Sequence, residues 1–177
     1  MKKKTLALVL ALTLLVAGVV GGTLAWLTDQ TAEVKNTFTV GDINIGLTET
    51  TADYKMVPGN TIAKDPTVTV KANSEACWLF VKVTKSTNLE AFISYDIAEG
   101  WTALSGVDGV YYREVPASTA DQTFSVLADD AVTVKSNVTK TMLETAKTDA
   151  PTLTFKAYAI QKDHFATADA AWAEVSK

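Results

Sequence analysis

A lone histidine among carboxylates, Asp163-His164 with Asp169 just downstream, is the first group in this chain that could hold a metal or move a proton. A metal-dependent peptidase needs two histidines one helical turn apart and a glutamate to activate the bound water. The chain has one histidine in total, so His164 reads as an ordinary turn or surface residue. Asp129-Asp130 is the nearest thing to an acid pair. Glycoside hydrolysis needs two carboxyl groups held apart across a bond, and adjacent aspartates fit a solvated hairpin end better. Cys77 is the only cysteine, which excludes an intramolecular disulfide. It lies in Glu75-Ala76-Cys77-Trp78-Leu79-Phe80-Val81-Lys82-Val83, an apolar strand pattern, so core packing is its expected role, with an intermolecular bridge or a reactive thiol as the alternatives. No glycine-flanked serine, phosphate loop or dinucleotide fingerprint occurs. The residues therefore assign no catalytic group, no cofactor and no metal, and the expectation is a protein that is not an enzyme.

The elements that would position any site are short strands. Ile43, Ile45 and Leu47 recur with period two, Pro58-Gly59-Asn60 marks a turn, and Val68 and Val70 alternate with threonines before the Cys77 strand. Phe92–Ile97, Val110–Val115, Thr123–Leu127, Ala131–Lys135 and Thr152–Gln161 continue the pattern. On the last of these Leu153, Phe155, Ala157 and Ala159 share one face, while Tyr158 and Ile160 on the other also invite burial. Lys140–Lys147 and Ala166–Val175 are expected to be short helices, with Trp172 docking the terminal segment. Many strands without alternating crossover helices predict an all-β fold, an antiparallel jelly-roll-like β-sandwich with a few short helices, with a barrel as its competitor. Trp78, Phe80, Trp101, Tyr111, Tyr112, Phe124, Phe155 and Tyr158 fall inside these patterns and read as core volume. A carbohydrate-stacking surface would require several of them to be exposed together.

Ahead of the strands stands an address. Lys2-Lys3-Lys4 precedes an uncharged run, and Thr23 and Ala25 place small side chains at the two sites a signal peptidase inspects, ahead of Trp26. The stretch from Thr5 to Thr28 is long enough to span a bilayer, so a retained anchor is the alternative. Gly18, Gly21 and Gly22 loosen its end and favour cleavage between Ala25 and Trp26. The expected organisation is residues 1–25 as signal-peptide helix, 26–36 as a mature amino-terminal segment and 37–177 as the β-sandwich domain. Loss of the three lysines takes the formal charge from −4 to −7, which makes nucleic acid and anionic lipid poor partners. The membrane would be met only through the signal segment before cleavage, and the localisation would be secreted, in the extracellular matrix or at the cell surface.

Gly22-Thr23-Leu24-Ala25-Trp26-Leu27-Thr28-Asp29, followed by Asn36-Thr37-Phe38-Thr39-Val40-Gly41-Asp42-Ile43, resembles the export region of TasA/camelysin-like proteins. Met56-Val57-Pro58-Gly59-Asn60, Val68–Asn73, Ala157–Gln161 and Ala170-Ala171-Trp172 extend the resemblance along the chain. It implies a specialised signal peptidase as the partner in export and an exported jelly-roll-like protein, with some relatives forming biofilm matrix fibres. Relatives labelled as metallopeptidases exist, but His164 stands alone, so that activity is not carried over.

The resemblance further implies a donor strand released by cleavage. Here it would run from Trp26 to about Lys35, with Trp26, Leu27, Ala32 and Val34 seeking pockets on a neighbouring subunit. Head-to-tail contacts of that kind extend into filaments, giving a homo-oligomer or a polymer with a related matrix subunit. The expected function is a secreted, self-associating structural subunit. The alternative is a monomeric cell-surface binding module for envelope carbohydrate or protein, which exposed clustering of Trp101, Tyr111 and Tyr112 would favour. A metallopeptidase is a distant third.

Overall fold

Cys77–Lys85, one of two described nine-residue strands, is the centre about which the other elements arrange themselves. The computed structural model describes residues 42–50 and 55–177, all within one unit, Val40–Lys177. The expected signal (1–25), the segment 26–36, and with them Thr23, Ala25, Trp26, Leu27, Ala32 and Val34, lie outside the described residues. No described helix is long and apolar enough to cross a membrane.

Among the described residues ten strands occur in chain order: β1 (Ile45–Thr48), β2 (Thr61–Ala63), β3 (Thr67–Val70), β4 (Cys77–Lys85), β5 (Ile93–Ser94), β6 (Thr102–Ala103), β7 (Val110–Val115), β8 (Gln122–Ser125), β9 (Ala131–Val134) and β10 (Leu153–Gln161). Three described α-helices join them: α1 (Leu89–Phe92), α2 (Lys140–Thr145) and α3 (Ala168–Val175). The strands form three antiparallel sheets, ordered β1-β3-β8, β10-β4-β7-β6 and β2-β9-β5.

This corrects the expected all-β jelly-roll-like β-sandwich. The architecture is mixed α/β, and none of its three sheets closes into a barrel or curls into a jelly roll. The physical reason lies first in β4. Cys77, Leu79 and Val81 pack with Val68, Val70 and Val126 toward the β1-β3-β8 sheet. Trp78 and Phe80 pack on the opposite face against Ala168, Ala171 and Trp172 of α3. A sheet covered on both faces reads as a continuous apolar run rather than an alternating one. The helix is therefore a structural layer, not a terminal ornament. Trp172 sits 5.3 Å from the Phe80 ring and 5.1 Å from Tyr158, edge-on to the latter at 82°.

The second reason is a break between β8 and β9. β3 pairs with β8 and β2 with β9, so the same two chain segments run from one sheet into the other. Between the pairs Thr67↔Ser125 and Ala63↔Ala131, two more residues lie on the β8–β9 side than on the β2–β3 side, a bulge that bends the ribbon. Asp129 and Asp130 occupy it with φ of 56° and 49°. Aspartate tolerates this left-handed region better than most residues. The ribbon thus leaves the first sheet and builds a third, whose apolar cluster is completed by Phe92 of α1 and by Val138 and Ala146 on either side of α2.

Helix α1 also differs from expectation, since Phe92–Ile97 reads as a strand. Leu89 and Phe92 are both buried at helical spacing, and only Ile93–Ser94 pairs as strand. Thr139 and Thr167 cap α2 and α3 by accepting from the Met142 and Ala170 amides.

Candidate functional site

The residues first suspected of chemistry do not converge. His164 ends an exposed 3-10 turn, Lys162–His164, and Asp163 and Asp169 beside it are also exposed. No group of three or more His, Cys, Asp or Glu side chains arranged for a metal occurs among the described residues. Asp129 and Asp130 are the hinge of the bent ribbon: Asp129 is exposed, and the Asp130 carbonyl accepts from the Lys64 amide at 2.7 Å. Cys77 is fully buried, and burial pushes its thiol up to about 11, so it is held protonated and shielded. Trp101 is buried, with its indole N–H donating to the Ser125 carbonyl at 2.8 Å. Tyr111 packs toward the first apolar cluster and Tyr112 toward the second, as alternate residues of a strand must. The three aromatics do not form one exposed surface, which counts against the aromatic carbohydrate site.

What carries no paired strand among the described residues is one edge of a sheet, along which β1 packs without pairing. All nine residues of β10 pair with β4, from Leu153↔Lys85 to Gln161↔Cys77. No strand among the described residues pairs with its other side. The bonds Ser86 N–H to Thr152 O at 2.9 Å and Lys162 N–H to Ala76 O at 2.9 Å bracket the ladder. Antiparallel pairs alternate between bonded and non-bonded positions. Even-numbered residues of β10 therefore direct their amides and carbonyls to β4, while Leu153, Phe155, Ala157, Ala159 and Gln161 direct theirs outward. The side chains of Leu153, Phe155, Ala157 and Ala159 stay against the first apolar cluster. The outward row is thus backbone presented by a strand that is anchored from behind.

Beside the start of this edge lies a cleft of about 690 Å³, lined by Leu47, Met56, Ile62, Leu89, Leu153 and Phe155 among others. Lys64, buried to 7% exposure, pairs with Glu49 at its rim and holds its ammonium 5.3 Å from the Phe155 ring centroid. Leu47 on the cleft wall is itself exposed. A second clasp closes the adjoining loop: the Thr50 amide donates to Asp65 at 2.9 Å and its hydroxyl also bonds that carboxylate, which holds Asp65 below the usual carboxylate range. An apolar cleft continuous with an unpaired edge can accept an extended chain by its backbone and one or two apolar side chains by the pocket. The sequence marked β10 as a strand but carried no sign of its lateral neighbours, because an edge is a property of sheet order. The one available hint was Lys156, a residue type that often guards edges.

Comparison with protein-family models, with curated proteins and with solved structures finds no match to this chain.

Proposed function

We propose that this chain is an exported structural subunit of the extracellular matrix or cell surface, related to TasA/camelysin-like proteins, that self-associates by adding a strand to the free edge of β10. The observation that supports the reading is that edge: five outward-facing residues along a nine-residue strand, with an apolar cleft beside it. Long unpaired edges invite pairing with another chain, and proteins that do not use them shorten, cover, charge or twist them; Lys156 is the one charged side chain on β10. The segment beginning at Trp26, released when a signal peptidase cuts after Ala25, is the proposed incoming strand. Its backbone would pair along β10 of a neighbour, with Trp26 and Leu27 or Ala32 and Val34 filling the cleft. The reading assigns the chain no catalytic step, cofactor or metal.

Electron microscopy of protein beginning at Trp26, beside protein retaining residues before it, tests the proposal. Filaments from the first and few or none from the second are expected. Monomers from both, at every concentration and salt tried, would refute self-assembly.

A further inference from the structure

The chain has 16 lysines and arginines, and only one of them, Arg113, is an arginine. It is also the cation placed most oddly. Arg113 lies at the middle of β7, directly opposite the fully buried Leu79, so its side chain leaves the sheet on the face turned toward β1-β3-β8. Its guanidinium carbon stands 4.0 Å from the Phe124 ring centroid and 5.3 Å from that of Trp101. Gly100, exposed and at φ +84°, lets the guanidinium close on the backbone: a Cβ there would be 2.9 Å from Nη2.

This flat, half-buried cation lacks the partner such a position calls for. Its Nε is buried with no hydrogen-bond acceptor, and no described carboxylate pairs with it. Glu114, next in sequence, faces the other way and pairs with Lys162, while Asp121 is taken by Lys71 and the Ala72 amide. Removal from water lowers the Arg113 pKa, in keeping with a charge that nothing nearby neutralises. Unsatisfied buried donors are uncommon in native proteins, and each calls for an explanation.

We infer that Arg113, with its guanidinium close to the Phe124 and Trp101 rings and beside Gly100, is a binding site for a carboxylate. The guanidinium fork matches a planar carboxylate edge-on and bidentate. Lysine, which serves at every other cationic position, offers a point charge without that fork. The ligand is a carboxylate of a small molecule or of an Asp or Glu side chain on a second copy, and the site is independent of the β10 edge.

A single arginine gives a single Nε–H resonance, so the site can be watched without ambiguity. In ¹⁵N-labelled protein titrated with sodium acetate against sodium chloride at equal ionic strength, the Nε–H peak should move saturably with acetate, at a concentration at least ~10-fold below any chloride response. Movement of the same peak on dilution, without acetate, would assign the carboxylate to a second copy. Arg113→Lys, which keeps the charge, should reduce the acetate response read at the Trp101 indole N–H at least ~10-fold. A peak that follows acetate no further than chloride and ignores dilution would overturn the inference. So would an Arg113→Lys protein that responds like the parent.

Discussion

Proline at position 157 separates the edge of β10 from its ladder. The Ala157 amide points away from β4, so Ala157→Pro removes no bond within the sheet, and proline is tolerated on edge strands where the N–H faces solvent. Its unfolding free energy should change by less than about 1 kcal/mol. An added strand would lie about 4.8 Å away and would meet the ring where it expects a donor. One backbone bond lost is about 0.5–1.5 kcal/mol, and displacement of a neighbouring bond by the ring brings the total to about 1.5–3 kcal/mol. That corresponds to roughly 10- to 150-fold in the association constant. Tyr158→Pro is the internal contrast, because that amide faces Phe80 of β4 and its loss should lower the melting temperature itself. Sedimentation velocity across a concentration series, with thermal melts of the same samples, reads both effects. Association by Ala157→Pro equal to the parent, at unchanged stability, would refute strand addition at this edge.

Other perturbations test the architecture. Trp172→Ala empties the contact with Phe80 and Tyr158 and should cost about 3–5 kcal/mol in denaturant unfolding, showing that α3 is a load-carrying layer. Gly109→Ala should also destabilise the fold, since Gly109 has φ +72° and a Cβ there would collide with the Val83 carbonyl oxygen; hydrogen exchange at the Val83 amide, which donates to Gly109 O at 2.7 Å, should rise. Cys77 should resist a disulfide reagent in native protein and react on unfolding. Because its folded pKa is raised to about 11, its contribution is whole below the unfolded thiol value near ~8.5 and is lost as pH climbs through the folded one, so Cys77→Ser should flatten the fall in stability across that alkaline window.

The sequence disclosed the parts of the fold that depend on neighbours along the chain. The unbroken run from Cys77 to Val81 announced a buried strand, and Tyr158 and Ile160 on the second face of β10 also invited burial. What that cover was, and that it made the fold mixed α/β instead of a two-sheet sandwich, depended on α3 reaching back across the chain. The third sheet was hidden for a similar reason. Ala63 to Thr67 gives no sign of crossing between sheets, and the bulge that forces the crossing lies at Asp129 and Asp130, which read only as polar turn residues. Leu89 and Phe92 show how a three-residue spacing just ahead of an expected strand can hold one turn of helix. Nothing in the strand pattern Val110–Val115 singled out Arg113, because its aromatic neighbours come from β8 and the loop before β6, distant in sequence.

Residue-resolved hydrogen exchange along β10 tests self-association by strand addition most directly. In dispersed protein the amides of Thr154, Lys156, Tyr158 and Ile160 should be protected by β4, while those of Phe155, Ala157 and Ala159 exchange freely. On assembly the second set should slow at least ~10-fold and the first should change little. An alternating pattern that persists unchanged in assembled material would contradict the account.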